Sequence, residues 1–169
     1  MTLRFIDRMN GGVDMGYELN VTVDVIDAEL PEQKLILTQW LYYDCLAQYY
    51  NVPVWSERHW EVIENFAKVA VKNGINMLLT PVFTPPLDTA VGGERLTTQL
   101  VGIKKSGNRY TFNWKLLDRW IEMCNRIGVK YFEISHLFSQ WGTTHAPKIM
   151  ATKKELLKST KSSETIYSK

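Results

Sequence analysis

The stretch Asn73-Gly74-Ile75-Asn76-Met77-Leu78-Leu79-Thr80-Pro81-Val82-Phe83 joins the end of an amphipathic helix to a strand that is apolar at nearly every position. A second copy of this arrangement closes at Arg126-Ile127-Gly128 and continues as Val129–His136. A strand that is apolar on both faces is typical of a parallel sheet that helices cover. The repeat therefore predicts α/β architecture, with functional side chains collected where the strands end.

A third buried strand is predicted upstream, over Leu35–Tyr43, and it ends at Asp44. Helices are expected over residues 57–73, with Ser56 as the N-cap, and over residues 114–127. Each helix ends at a glycine that can take the left-handed conformation of a C-terminal cap. Strands and helices in this order indicate either the first part of a (β/α)8 barrel or half of an open doubly wound sheet.

The choice between these two folds rests on motifs and length. No GxGxxG motif or P-loop follows the first strand, which weakens the nucleotide-binding version. A barrel normally takes about 250 residues. The 169-residue chain therefore has room for about three of the eight strands. A hairpin around Ser106-Gly107-Asn108 is expected as an insertion between the second strand and the second helix.

The two ends of the chain differ from the middle. Residues 1–15 are expected to be irregular, and residues 16–27 alternate between apolar and polar as in a half-buried antiparallel strand. The tail is rich in Lys, Ser and Thr, with a short helix as one option over residues 153–158. The predicted division is a β-strand region and linker over 1–31, the barrel part over 32–151 and the polar tail over 152–169.

Composition excludes several classes of protein. The net charge is only +2, from 20 basic and 18 acidic side chains, and no basic stripe indicates a nucleic-acid partner. Cys45 and Cys124 form no metal-binding or disulfide pattern, and burial is expected for both. No run of about 18 apolar residues indicates a membrane span, and a cytoplasmic location is expected. Neither a cofactor nor a metal site is indicated.

Polar and aromatic residues cluster at the predicted strand ends, where a barrel binds its ligand. The candidate substrate-binding residues are Trp40, Tyr42, Asp44, Thr84, Glu94, Arg95, Glu133, His136 and Trp141. Aromatic rings, carboxylates and amides on one rim favour a carbohydrate ligand, because rings stack on sugar faces while polar groups bind hydroxyls. Alternatives stay open: Trp40 and Tyr42 as barrel filling, Glu94 and Arg95 as a pair with each other, and His136 as a hydrogen-bonded core residue.

Glu133 is the weak candidate for a catalytic residue. A carboxylate within an apolar strand is costly unless it is paired or used. Glycoside hydrolysis normally needs two carboxyl groups, and Asp44 is the obvious partner in the sequence. A structural or substrate-orienting role for Glu133 is the favoured alternative.

Three segments resemble proteins related to glycoside hydrolase family 123, which are β-N-acetylgalactosaminidase-like and often labelled a domain of unknown function. The segments are Gln39–Leu46, Asn73–Arg95 with its Val91-Gly92-Gly93-Glu94-Arg95 end, and Tyr131–Gly142. The resemblance covers about residues 16–150. It implies a β-sandwich followed by a (β/α)8 barrel, with the strand over residues 17–25 as the last strand of the sandwich.

The resemblance also implies a substrate-assisted mechanism, in which the 2-acetamido oxygen of the substrate attacks the anomeric carbon. An adjacent Asp-Glu pair on a later barrel strand orients that group and supplies the acid. The chain contains no adjacent Asp-Glu, so the catalytic pair has no counterpart here. Only the substrate rim of the first strands carries over.

The sequence therefore predicts a fragment of an N-acetylhexosaminide-type glycoside hydrolase, inactive alone, whose partner is a carbohydrate. A truncated or frame-shifted reading frame, or a shortened version of the protein, is expected to explain the polar tail. The alternative is a non-catalytic carbohydrate-binding or vestigial module. Such a fragment could also form homo-oligomers through exposed sheet edges.

Overall fold

A computed structural model describes residues 1–29, 31, 33–86, 93–137, 147–153 and 163–166. The chain divides into two compact units, Met1–Gln33 and Lys34–Lys169. The strands are β1 Thr2–Asp7, β2 Val13–Asn20, β3 Thr38–Gln39, β4 Met77–Thr80, β5 Gly102–Ser106, β6 Arg109–Asn113, β7 Tyr131–Ile134, β8 Ile149–Lys153 and β9 Ser163–Ile166. The helices are α1 Tyr43–Tyr49, α2 Glu57–Lys72 and α3 Lys115–Ile127.

The centre of the second unit is a parallel sheet with the strand order β3-β4-β7. Thr38 pairs with Met77, and Met77 pairs with Tyr131, so that the three strands run side by side in chain order. The prediction of parallel strands alternating with helices is confirmed. The described residues form a mixed α/β fold, while a complete (β/α)8 barrel stays a prediction.

Helices α2 and α3 cover one face of this sheet. Their buried side chains join Leu78 of β4 in one core cluster, and Phe132 of β7 packs against it. The helical members of this cluster are Trp60, Ile63, Ala67, Trp120, Met123 and Cys124. Burial of these side chains stabilises the unit by roughly 1.5–3 kcal/mol for each large apolar residue.

The predicted Ser56 cap and the glycine stops are confirmed, whereas α2 ends at Lys72 and α3 begins at Lys115, each one residue inside the predicted bounds. The Ser56 hydroxyl accepts a hydrogen bond from the backbone N–H of His59 at 3.2 Å, which satisfies one free donor at the start of α2. Gly74 and Gly128 follow the two helices with φ of 92° and 94°, a conformation that only glycine takes at little cost. Burial raises the pKa of Cys124 on α3 to about 12, which fits the predicted core role.

The first parallel strand is much shorter than predicted. Only Thr38 and Gln39 form β3, and Tyr43 and Asp44 lie in the first turn of α1 instead. Tyr43 and Ala47 are both buried at helical spacing, and the Tyr43 hydroxyl donates to the Leu79 carbonyl at 2.9 Å. This i,i+4 pattern was hidden in the apolar run, because periodicity cannot separate a short buried helix from a strand.

The first unit contains a β-hairpin where residues 1–15 were expected to be irregular. Strand β1 pairs antiparallel with β2, with Leu3 opposite Leu19. Both strands are exposed along almost their whole length, so the prediction of a half-buried strand was also wrong. The alternation of the sequence is real, since Arg4 and Glu18 pair on the other face at 2.8 Å.

A second sheet in the larger unit has the order β6-β5-β8-β9. The predicted hairpin is confirmed, because β5 and β6 pair antiparallel around Gly107, whose φ is 57°. Strands β8 and β9 pair antiparallel, so part of the predicted tail is strand. Lys153 belongs to β8, and the rest of the helix suggested over 153–158 lies outside the described residues. Among the residues described, no helix has the length and apolar character to cross a membrane.

Candidate active-site rim

The parallel sheet presents one face away from its covering helices. Side chains alternate along each strand, and the register puts Leu79 of β4 level with Glu133 of β7. Leu78 and Phe132 point toward α2 and α3, so Leu79 and Glu133 lie on the opposite face. A carboxylate in the apolar strand is therefore placed on the face where a barrel would have its interior.

Glu133 is the centre of a polar cluster on this face. Its Oε2 atom accepts hydrogen bonds from the Thr38 hydroxyl at 2.8 Å and from the Trp40 indole N–H at 2.9 Å. Its Oε1 atom lies 3.4 Å from Nε2 of His136, and this contact becomes an ion pair only when His136 is protonated. The His136 ring meets the edge of the Trp40 ring at a centroid distance of 5.1 Å.

This group, which we call the Glu133 cluster (Thr38, Trp40, Glu133 and His136), is partly open to solvent. The Glu133 side chain is 21% exposed, and the Trp40 residue is 38% exposed. The Nδ1 atom of His136 is buried, and among the described residues it has no hydrogen-bond partner. The cluster therefore combines a partly exposed aromatic ring with a partly exposed carboxylate, and a polar ligand can bind to both.

Asp44 belongs to a different arrangement. Arg95 binds its carboxylate with two hydrogen bonds, from Nε to Oδ2 at 2.7 Å and from Nη2 to Oδ1 at 2.9 Å. The Asp44 side chain is 5% exposed and the Arg95 side chain 11%. The guanidinium also lies 4.1 Å above the centre of the Tyr42 ring and 3.4 Å from the sulfur of Cys45. We call these residues the Arg95 clamp (Tyr42, Asp44, Cys45 and Arg95).

Hydrogen bonds and the nearby Asp44 carboxylate raise the pKa of Arg95, although burial by itself lowers it and is the largest single influence. The guanidinium therefore stays charged in the clamp. Cys45 is exposed at this position, so the prediction of a buried Cys45 was wrong. A helix start, rather than a strand end, turns its sulfur outward.

Glu94 and Arg95 do not pair with each other, although their adjacency made that one option. Glu94 pairs with Lys148 at 2.9 Å, and its side chain is 69% exposed. Thr84 is buried, and its hydroxyl accepts from the backbone N–H of Thr98 at 3.0 Å. Of the nine candidate rim residues, Trp141 lies outside the described residues.

The catalytic pairing of Glu133 with Asp44 stays a prediction. Each carboxylate has its own partners, in the Glu133 cluster and in the Arg95 clamp. Within the described ranges, no group of three or more His, Cys, Asp or Glu side chains is arranged to hold a metal ion. The two carboxylates therefore lie in separate hydrogen-bonded groups.

Three residues at or near this rim were not predicted from the sequence. Thr38 lies two residues before Trp40, and strand periodicity could have placed both on one face. Lys148 gave no signal, since its partner is 54 residues away. His59 is completely buried, with Nδ1 accepting from the Trp55 backbone N–H at 3.0 Å and Nε2 2.9 Å from the Tyr43 carbonyl.

Burial lowers the pKa of His59, and it outweighs the hydrogen bond to the Tyr43 carbonyl and the nearby Asp44 charge, which both act to raise it. A neutral ring with the proton on Nε2 satisfies both contacts. Trp55 adopts a left-handed backbone with φ of 60°, which is rare for a bulky residue. This strain is held in place by the His59 bond and by a second bond from the Trp55 indole to the Gln99 carbonyl at 3.2 Å.

Comparison with known proteins agrees with this architecture. The model of the glycoside hydrolase 123 catalytic domain matches residues 40–168. A similar solved structure is a family 123 glycoside hydrolase from Clostridium perfringens, described in connection with glycolipid glycan hydrolysis, with a TM-score of 0.53 and 14% sequence identity. The match covers 79% of this chain and 23% of that chain, so this chain spans about a quarter of the solved protein.

No curated protein matches the sequence. At 14% identity the solved structure supports the fold alone. The family model is the stronger result, since it spans most of the chain and includes the Glu133 cluster and the Arg95 clamp apart from Thr38. The chain therefore belongs to the glycoside hydrolase family 123 catalytic-domain family.

Proposed function

We propose that this chain supplies part of the carbohydrate site of a glycoside hydrolase that acts on N-acetylhexosaminide-type glycans. The observation that carries the proposal is the Glu133 cluster, in which a partly exposed indole, a carboxylate and an imidazole meet on the sheet face opposite α2 and α3. Membership of family 123 supports a carbohydrate as the ligand.

Each member of the cluster has a role that matches a sugar. The Trp40 ring offers an apolar surface for the carbon face of a pyranose. Glu133 is held by Thr38 and Trp40, and its Oε1 atom can accept a hydrogen bond from a sugar hydroxyl. The His136 ring packs against the edge of the Trp40 ring and helps to hold the indole in place.

We place no catalytic acid in this chain. The adjacent Asp-Glu that the family resemblance implies is absent from the sequence. One oxygen of Glu133, Oε2, accepts hydrogen bonds from Thr38 and Trp40. A carboxylate held in this way suits an orienting role. The chain alone is therefore expected to bind a sugar weakly and to hydrolyse none.

Titration with N-acetylgalactosamine and N-acetylglucosamine tests the binding step. Trp40 and Trp114 are both exposed tryptophans, at 38% and 51%, and they form a matched pair of variants. We expect saturable fluorescence quenching in wild type and in Trp114→Phe, and loss of the signal in Trp40→Phe. Absence of saturation in the wild-type protein, or an unchanged signal in Trp40→Phe, would contradict the proposal.

Incubation with an aryl N-acetyl-β-galactosaminide tests the catalytic step. We expect no turnover above the buffer control. Turnover by the purified chain that disappears in Glu133→Gln would show that Glu133 is a catalytic residue after all. Turnover retained in Glu133→Gln would point to a contaminating hydrolase.

A second candidate function is self-association through the edges of the parallel sheet. Strands β3 and β7 are its outer strands, and apolar side chains such as Ile36 and Ile134 are about half exposed there (49% and 55%). Sheet edges of this kind pair with further strands. A concentration-dependent mass in sedimentation velocity would support this function, and a monomer throughout the range would remove it.

A further inference from the structure

We propose that Arg95 and Asp44 are positioning residues, which hold the turn between β3 and α1 and so fix Trp40 beside Glu133. Both residues stood among the candidate sugar ligands in the sequence. The sugar-binding part of this inference rests on the proposed function, whereas the structural part does not.

The contacts of Arg95 surround the end of that turn. Residues 40–42 connect β3 to α1. Arg95 covers the ring of Tyr42 at 4.1 Å and binds the carboxylate of Asp44 through two hydrogen bonds. One guanidinium therefore contacts the last residue of the turn and the first turn of the helix. Since Trp40 is two residues before Tyr42, fixing Tyr42 restricts the backbone that carries Trp40.

The segment that carries Arg95 is itself anchored on the sheet. The backbone N–H of Thr98 donates to the Thr84 hydroxyl at 3.0 Å, and that of Leu100 donates to the Pro81 carbonyl at 2.9 Å. Arg95 is therefore attached on one side to the end of β4 and on the other to α1. A bidentate, largely buried arginine–carboxylate pair has one favoured geometry. The position of β4 therefore fixes the position of the turn between β3 and α1.

The carboxylate of Asp44 is unsuited to a sugar hydroxyl. Both of its oxygens accept from Arg95, and its side chain is 5% exposed. A sugar ligand would have to break a charge-assisted pair to reach it. Glu133, by contrast, keeps Oε1 in a contact of 3.4 Å with His136 and is partly exposed.

Limited trypsin digestion tests the clamp without any sugar. Trypsin cleaves after Arg95 only when this residue leaves its pocket, and the rate follows the open population. We expect Asp44→Asn to raise the rate of cleavage between Arg95 and Leu96 by at least about tenfold, measured by mass spectrometry of the released peptide. Lys148→Gln is the matched control, because it breaks the neighbouring Glu94 pair and should leave this rate unchanged.

Arg95→Lys is a second variant for the case in which Asp44→Asn does not fold. Lysine keeps the charge and the trypsin site but loses the two-pronged hydrogen bond and the stacking on Tyr42. We expect faster cleavage after position 95 in this variant also. Wild-type cleavage rates in the folded variants would overturn the clamp.

Sugar affinity and the Trp40 signal test the positioning role. We take the emission of Trp40 as the difference between each protein and its Trp40→Phe counterpart. In Asp44→Asn we expect this emission to become more accessible to acrylamide, and the Kd for N-acetylgalactosamine to rise about tenfold, or about 1.4 kcal/mol. Cys124→Ala, a core variant on α3, should lose stability without either change.

The outcomes separate the two proposals. If wild type binds no sugar while the trypsin and acrylamide results hold, the proposed function fails and the clamp stands. If Asp44→Asn releases Arg95 but leaves the Kd and the Trp40 signal unchanged, the pair is merely structural and the positioning role is overturned.

Discussion

The sequence placed the carboxylates of Asp44 and Glu133 near the ends of parallel strands, and the structure gives them opposite settings. Asp44 is buried and neutralised by a guanidinium, whereas Glu133 is partly exposed and receives hydrogen bonds from a hydroxyl and an indole. The charge of the first is cancelled within the fold, while the second keeps one oxygen near the open face. A carboxylate at a strand end is therefore a ligand candidate only when no cation already binds it.

The same contrast holds for the two arrangements as wholes. The Arg95 clamp is built from contacts between a helix start and a distant loop, and its role is to fix backbone. The Glu133 cluster lies mainly on β3 and β7 and the residues that follow them, and its side chains remain within reach of solvent. Substitutions in the clamp should act first on stability, and substitutions in the cluster first on binding.

The largest effect is expected from Asp44→Ala. Removal of the carboxylate leaves the Arg95 guanidinium buried without its counter-ion, and breaking a buried pair in this way costs about 3 kcal/mol of unfolding free energy. Urea denaturation at pH 7 measures it, with Glu133→Ala as the parallel variant. Equal losses in the two variants would mean that the clamp and the cluster do not differ as described.

The next effect is a loss of stability in weak acid, which originates beside the clamp. His59 donates to the carbonyl of Tyr43, and its pKa in the folded chain is below its ordinary value of 6.5. Below pH 6.5 the unfolded chain therefore binds a proton that the folded chain refuses, so stability falls with pH until the folded pKa is reached. Above pH 6.5 both states are neutral at this residue, and the full stability is present.

Thermal unfolding between pH 7.5 and 5.5 measures this dependence above the range in which ordinary carboxylates titrate. We expect His59→Gln to flatten the curve, because it removes the imidazole that the fold keeps neutral. A curve that keeps the wild-type slope in His59→Gln would mean that another group causes the loss of stability in weak acid.

Much of this fold follows from local pattern. Gly74 and Gly128 marked the helix ends, and the apolar strands after them predicted parallel pairing, since each signal lies within a few residues. The start of α1 was predicted as strand, because the buried residues Tyr43 and Ala47 fit the spacing of a helix as well as an all-apolar strand. The hairpin β1–β2 was only half found, because residues 2–7 carry mixed polar and apolar side chains on an exposed ribbon.

The candidate site could be predicted in composition but not in pairing. Glu133, Trp40 and His136 stood out because polar groups at strand ends are few. The cation that binds Asp44 could not be predicted from the sequence. Arg95 is 51 residues away from Asp44, and its sequence neighbour Glu94 was the more obvious partner for it. Pairing over such distances is fixed by the packing of the loop on the sheet, which one sequence does not encode locally.

A smaller effect is expected from Thr38→Val, which removes one of the two donors to Glu133. Valine keeps the shape, and the carboxylate retains the Trp40 N–H at 2.9 Å. A lost hydrogen bond to a partly exposed charged acceptor costs about 1 kcal/mol. Urea denaturation measures this cost, and the sugar titration should show weaker binding. An unchanged Kd would mean that Thr38 does not set the orientation of Glu133.

The smallest effect is expected from Lys148→Gln, and it compares two adjacent residues in one loop. Glu94 and Arg95 each form an ion pair at under 3 Å, yet Glu94 is 69% exposed and Arg95 only 11%. Water already solvates the exposed pair, so its loss should change the unfolding free energy by less than about 1 kcal/mol. Addition of 1 M NaCl should remove even this difference, because screening acts on exposed charges first. A loss as large as that of Asp44→Ala would mean that the charge pair, rather than its burial, determines how strongly this loop is held.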